Sequence, residues 1–182
     1  MNSVQVLSNS QKNVICFLAE DSIFAKPSNA MPKISAGLLM YRVRLGRLEF
    51  LLAHPGGPVW RNKDAGVWTI PKGEIGQGED ALEAAKREFA EELGSRPEVQ
   101  PVALKSIQQK SGKIVHAWAF KGDLDTTHVR SNLFEMEWPP RSGRMQSFPE
   151  IDRAEWFDLP TAKTKINPAQ IPLLEEVHEK FG

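Results

Sequence analysis

The chain of 182 residues carries a single cysteine, Cys16. An internal disulfide is therefore excluded, and a zinc site built on thiolates has too few ligands. Charge of one sign is also lacking in excess: 23 Lys and Arg offset 23 Asp and Glu. Proteins that coat long nucleic acid ordinarily carry a basic surplus, which argues against that class. A local basic pocket for one small polyphosphate stays open, because a pocket depends on the local field and not on net charge. No apolar run approaches the roughly 20 residues that cross a bilayer as a helix. The best stretch, Val14-Ile15-Cys16-Phe17-Leu18-Ala19, ends at once in Glu20 and Asp21, and only Lys12 precedes it as the basic start of a signal peptide. These absences predict a cytoplasmic protein without a membrane partner.

What is present has the balance of a globular domain: 41% hydrophobic and 25% charged, over a length that suits one core. Residues 1–30 differ from the rest, with Ser, Asn and Gln clusters and a loop signal at Pro27-Ser28-Asn29-Ala30. We read them as a flexible or extra N-terminal segment and residues 31–182 as the domain. Ile34 to Arg44 and Leu48 to Ala53 predict a hairpin around Leu45-Gly46-Arg47. Pro55-Gly56-Gly57-Pro58 opens a long loop to Gly66, followed by a short predicted strand from Val67 to Ile70. Residues 101–109 and 113–121 read as two strands. The second places Ile114, His116, Trp118 and Phe120 on one face and Val115, Ala117 and Ala119 on the other. Further strands are expected at 131–138 and from Ala154 to Leu159. A closing helix from Asn167-Pro168 would turn Ile171, Leu174, Val177 and Phe181 inward. This order predicts an α+β sandwich and not a doubly wound sheet.

The clearest helix runs from Glu79 to Leu93. Leu82, Ala85, Phe89 and Leu93 form its apolar stripe, and Gly94 is placed to stop it. The same helix sets Glu88, Glu91 and Glu92 at i, i+3 and i+4, so their carboxylates share one face. They repel each other and lie near the negative end of the helix dipole. A hard divalent cation reverses that penalty, since Mg²⁺ prefers carboxylate oxygens and shares its shell with phosphate. Such a face suits metal-assisted attack on a phosphoryl group. Arg87 is placed to hold Glu79 or Glu91 by a bidentate bond, and the glycine-rich stretch 73–78 lets backbone approach a metal or phosphate closely. A glutamate triplet by itself is ordinarily a solvated face.

The register around the triplet decides the matter. Gly73, Glu79, Arg87, Glu88, Phe89, Glu91, Glu92 and Gly94 stand at the spacing of the Nudix box, with Ser95 departing where an apolar residue is expected. The segment resembles the Nudix hydrolase family. That resemblance implies an α/β/α sandwich with a mixed sheet, carrying a loop–helix–loop motif. It also implies hydrolysis of a diphosphate linkage in a nucleoside diphosphate linked to a group X. Mg²⁺ is the implied cofactor, with Mn²⁺ as a substitute, held by the Gly73 carbonyl, Glu88, Glu91 and Glu92. Family habit adds a homodimer as a partner expectation.

For the general base the resemblance leaves Glu91 or a distant carboxylate. Glu150 leads, standing six residues before Trp156 as in the family's later acidic segment; Glu135 and Glu137 are rivals. Lys72, Arg61 and Lys63 are candidates for outer phosphates, as are Arg141 and Arg144. Trp60, Phe134 and Trp138 are candidates for stacking on a base. Markers of the NADH-cleaving and coenzyme A subfamilies are missing, position 111 is Ser where ADP-ribose members often carry proline, and the only tyrosine is Tyr41. The stretch from Met31 resembles a bacterial group of predicted nucleoside triphosphate pyrophosphohydrolases. Triphosphates or dinucleoside polyphosphates are thus the leading substrates. The alternatives are a non-catalytic nucleotide-binding module of the same fold and a domain that binds metal only for stability.

Overall fold

The computed structural model describes residues 33–182. The expectation for residues 1–30 therefore lies outside the described residues. Strands β1 (Ile34–Arg44) and β2 (Arg47–Pro55) form the predicted hairpin, with Tyr41 opposite Phe50 and Arg44 opposite Arg47. Strand β3 (Lys72–Glu74) pairs antiparallel with the start of β1. Helix α1 (Ala81–Leu93) follows. Short strands β4 (Val102–Ala103) and β5 (Ile107–Gln108) both pair with β6 (Ile114–Lys121), which runs parallel to β1. Strands β7 (Leu133–Glu137) and β8 (Met145–Pro149) form a separate two-stranded ribbon. Strand β9 (Ile151–Asp158) returns to β2, and helices α2 (Leu159–Lys165) and α3 (Ile171–Phe181) close the chain. The main sheet has the order β4-β6-β1-β2-β9 and is mixed, as expected.

Alternation along β1 and β2 divides the core into two layers, because successive side chains point to opposite faces. Ala36, Leu38, Met40 and Leu51 pack with Ala84, Ala85, Phe89 and Leu93 of α1. Leu39, Tyr41, Phe50 and Leu52 pack with Leu173, Leu174 and Val177 of α3. Tyr41 stacks on Phe181 with ring centroids 4.9 Å apart. The result is helix, sheet, helix: the sandwich predicted from the order of elements. Among the described residues no helix is long and apolar enough to cross a membrane.

Several elements differ from expectation. Val67 to Ile70 is not a strand; Trp68 and Thr69 make only single bridges, to Ile166 and Ala53. The strand lies instead at β3, where pairing with β1 holds a Lys-Gly-Glu sequence that has no strand preference of its own. The predicted strand at 101–109 is broken into β4 and β5. Strand β9 begins three residues earlier than predicted, at Ile151, and β8 and α2 were not anticipated.

Candidate functional site

Helix α1 starts where Asp80 caps it, its carboxylate accepting from the Leu82 and Glu83 amides at 2.9 and 3.1 Å. It ends at Gly94, whose φ of 74° is the left-handed conformation that glycine adopts without penalty, with its N–H bonded to the Ala90 carbonyl. Ser95 is exposed, so its departure from the expected apolar type leaves no gap in the core. Burying Phe89 and Leu93 against the sheet turns the opposite edge of the helix, with Glu88, Glu91 and Glu92, toward β3 and the chain around Glu150.

Arg87 organises these acids. Its Nε and Nη2 donate to the two oxygens of Glu79 at 2.8 and 3.0 Å, the bidentate bond expected. Its Nη1 donates to both Glu88 at 2.7 Å and Glu91 at 3.2 Å. One guanidinium thus neutralises part of three carboxylates. The pairing with Arg87 and the Gly76 amide pulls Glu79 down to about 2. Glu79, Glu88 and Glu91 in turn hold Arg87 firmly protonated.

Glu88 and Glu92 behave in the opposite sense. Glu92 is 7% exposed, and its carboxyl is pushed up to about 8, chiefly by burial; Lys72 opposes the rise, while Glu88 and Glu150 add to it. Burial likewise raises Glu88, against the pull of Arg87 and with the push of Glu91 and Glu150. Glu150 is raised by burial and by Glu91. Backbone bonds place that last carboxylate. The Asn132 amide donates to the Glu91 carbonyl at 3.0 Å, and the Glu150 amide donates to the Asn132 carbonyl at 2.9 Å. The Gly56 amide holds the Glu150 carbonyl at 2.8 Å.

Gly73 meets this cluster directly: a Cβ there would overlap the Glu88 carboxylate and displace it. The Lys72 amide donates to Glu92 at 3.3 Å. The donor set is all oxygen, with more acids than Arg87 and Lys72 can balance, which fits a hard divalent cation. Among the described residues no three acidic or imidazole groups already form a metal cage. Arg87 Nη1 bridges Glu88 and Glu91 at 2.7 and 3.2 Å.

The sequence-predicted residues Lys72, Gly73, Arg87, Glu88, Glu91, Glu92 and Glu150 are thus brought together. Arg61 and Arg141 are exposed and make no ion pair among the described residues; Arg141 sits at the β7–β8 turn with φ of 63°. Lys63 lies over the Trp60 ring at 4.6 Å. Phe134 packs near Phe148 and Gly57. Of the rival bases, Glu137 accepts the Gly143 amide at 2.6 Å within the ribbon, and Glu135 lies on the same strand. A surface depression of about 830 Å³ lies elsewhere, lined by Arg42, Lys121, Leu124, Thr126 and Trp156 among others. Of its lining, the Arg42 guanidinium is already paired with Glu49 and Asp123. Reading the sequence missed His54 and Asp152, which meet at 2.7 Å across 98 positions. No local spacing signals such a pair.

Comparison with known proteins agrees with this architecture. An asymmetrical bis(5'-nucleosyl)-tetraphosphatase of Caenorhabditis elegans is 43% identical over 58 residues, or 32% of this chain, and the match spans only 38% of that relative. A solved Ap4A hydrolase of C. elegans, in a binary complex, superposes with a TM-score of 0.57 at 26% identity, covering 81% of this chain and 96% of that one. The NUDIX domain of Shewanella oneidensis NrtR, complexed with ADP ribose, gives 0.59 at 12% identity over 84% and 90%, a likeness of fold. The model of the NUDIX domain matches residues 31–177. With that match spanning most of its length, the chain belongs to the Nudix family.

Proposed function

We propose that this chain is a Mg²⁺-dependent hydrolase that cuts a diphosphate linkage in a nucleoside diphosphate-X substrate. The observation that carries the proposal is the meeting of Glu88, Glu91 and Glu92, on one helix, with Glu150, from a segment 58 positions beyond Glu92, around a glycine-cleared floor. Four carboxylates around two cationic side chains are unfavourable for folding and suited to divalent cations. Glu88, Glu91, Glu92 and the Gly73 carbonyl would hold Mg²⁺, with Mn²⁺ as a substitute. When bound, the metal supplies neutralisation of the negative charge that grows on the phosphate oxygens.

The side chains of this chain do the rest. Glu150, raised by burial and by Glu91, is the base that takes a proton from the attacking water; a raised carboxylate is the better proton acceptor near neutral pH. Arg87 keeps Glu79 and Glu91 in place and acts by positioning. Lys72, at the edge of the cluster, and Arg61, in the neighbouring loop, hold outer phosphates, and Arg141 reaches only a long substrate. A dinucleoside polyphosphate fits that spread, and the C. elegans relatives named for such a substrate support it; a nucleoside triphosphate is the second choice. Residues 31–182 are read as the working domain, cytoplasmic, with sedimentation as the check on a homodimer.

The deciding experiment compares wild type with Glu91→Gln on Ap4A, nucleoside triphosphates and ADP-ribose in Mg²⁺. Release of nucleotide or phosphate by wild type, lost in the variant, supports the proposal. Binding without turnover of any of them would identify a regulatory module instead. Metal-raised melting with no nucleotide bound would leave a structural metal domain.

A further inference from the structure

His54 is fully buried and takes no part in the chemistry above. Its Nδ1 lies 2.7 Å from an Asp152 carboxylate oxygen and its Nε2 lies 2.7 Å from the Lys63 carbonyl. Both partners are acceptors, so Nε2 donates to the carbonyl and one proton lies between Nδ1 and the carboxylate. Trp68 packs edge-on against the ring at 5.1 Å, and Arg153 approaches Asp152 at 3.5 Å.

The two partners belong to different segments, one carrying Arg61, proposed above as a phosphate contact, and the other Glu150. Lys63 closes the turn that begins at Gly57, whose carbonyl accepts the amides of Trp60 and Arg61; the Lys63 amide returns to the Trp60 carbonyl. Asp152 lies two residues beyond Glu150, on the strand whose register shifts between His54 and Pro55. That shift is where the Gly56 amide reaches the Glu150 carbonyl. One ring therefore joins the turn carrying Trp60 and Arg61 to the segment carrying Glu150.

We propose that His54 is a positioning residue that fixes the distance between the 57–63 turn and the Glu150 carboxylate, setting substrate contact and base together. The proposal rests on the hydrolase reading for its kinetic consequence. Its geometry can be tested without substrate.

The two halves separate by substitution. An asparagine amide reproduces Nδ1 and keeps the Asp152 bond, whereas a glutamine amide reproduces Nε2 and keeps the Lys63 bond. With Ap4A as substrate, His54→Asn raises KM about tenfold with kcat near wild type, and His54→Gln lowers kcat about tenfold with KM near wild type. Amide hydrogen exchange without substrate shows the same division. His54→Asn speeds exchange at Arg61 and Lys63, and His54→Gln speeds it at Gly56 and Glu150. If either His54 variant fails to fold, Asp152→Ala, at a side chain 28% exposed, follows the glutamine pattern in kcat. Equal losses of melting temperature with no division in KM, kcat or exchange, or an unchanged kcat in Asp152→Ala, overturn the proposal. A wild type inert toward Ap4A and triphosphates would end the hydrolase reading, and the exchange results would then judge the latch alone.

Discussion

Two arginines near opposite ends of the molecule's central strand each hold carboxylates, and they differ in how the charge closes. Arg42, near the end of β1, donates to Glu49 and Asp123 at 2.7 Å each and lies 4.1 Å over the Trp156 ring. Arg87 faces three carboxylates, with the buried Glu92 and the half-buried Glu150 beside them. Asp123 is 74% exposed, so water settles the surplus charge at Arg42. At Arg87 the acids in excess are Glu88, 13% exposed, and Glu92, 7% exposed, where water cannot, and burial raises both carboxyls instead. Ion pairing is common to both; a buried excess of acids is confined to the second, and it is on that excess that the proposed function rests.

The largest effect expected is loss of turnover. Glu91→Gln or Glu92→Gln lowers kcat/KM by about a thousandfold, with the circular dichroism spectrum unchanged. Collapse of that spectrum in Glu92→Gln would make the residue part of the core and not of the chemistry. Next is the arginine pair. Arg42→Ala costs about 1–2 kcal/mol of stability through the lost stacking and the bond to Glu49, with the exposed Asp123 arm contributing little, and leaves turnover intact. Arg87→Ala lowers turnover about a hundredfold, because Glu79 and Glu91 lose the fork that orients them. Equal turnover losses in both variants would erase the distinction between the two clusters.

The pH dependence of the metal-free protein gives a smaller effect with a defined sign. Glu92 is raised from 4.5 to about 8 in the folded chain. A raised carboxyl favours folding fully below 4.5, and its contribution is lost as pH climbs through about 8. Melting temperature without metal therefore falls over that interval, and millimolar Mg²⁺ restores it at the alkaline end. Glu79 acts oppositely: depressed to about 2, it stabilises above 4.5 and loses that contribution as pH falls through about 2. Scanning calorimetry across pH, with and without Mg²⁺, reads both limbs. A metal-free melting temperature that rises toward pH 8 would contradict the buried-excess account.

Much of this was legible in the chain, for reasons that particular residues make plain. The stripe Leu82, Ala85, Phe89 and Leu93 has a helical period, β1 is a continuous apolar run and β6 alternates, so their burial decides their shape locally. The triplet Glu88, Glu91 and Glu92 needs only helix geometry to converge, and Glu150 keeps a fixed offset from Trp156. Helix α2, Leu-Pro-Thr-Ala-Lys-Thr-Lys, offers no apolar stripe; Ala162 is its only buried residue. Strand β8 is mostly exposed and is held by pairing with β7. His54 and Asp152 meet through topology, and topology leaves no trace in spacing.

The smallest effect comes from a third cluster, on the far side of the same helix. Glu83 accepts from Lys86 at 2.9 Å and from Arg96 at 2.6 Å, so here one acid faces two cations. Its side chain is 49% exposed and water screens the whole group. Glu83→Gln is expected to shift the melting temperature by less than about 2 °C and to leave Mg²⁺ dependence unchanged. A larger shift would mean that exposed pairing on α1 supports the acid face from behind. The geometry argues otherwise, since the helix is fixed by Asp80, Gly94 and the buried Phe89, none of which depends on Glu83.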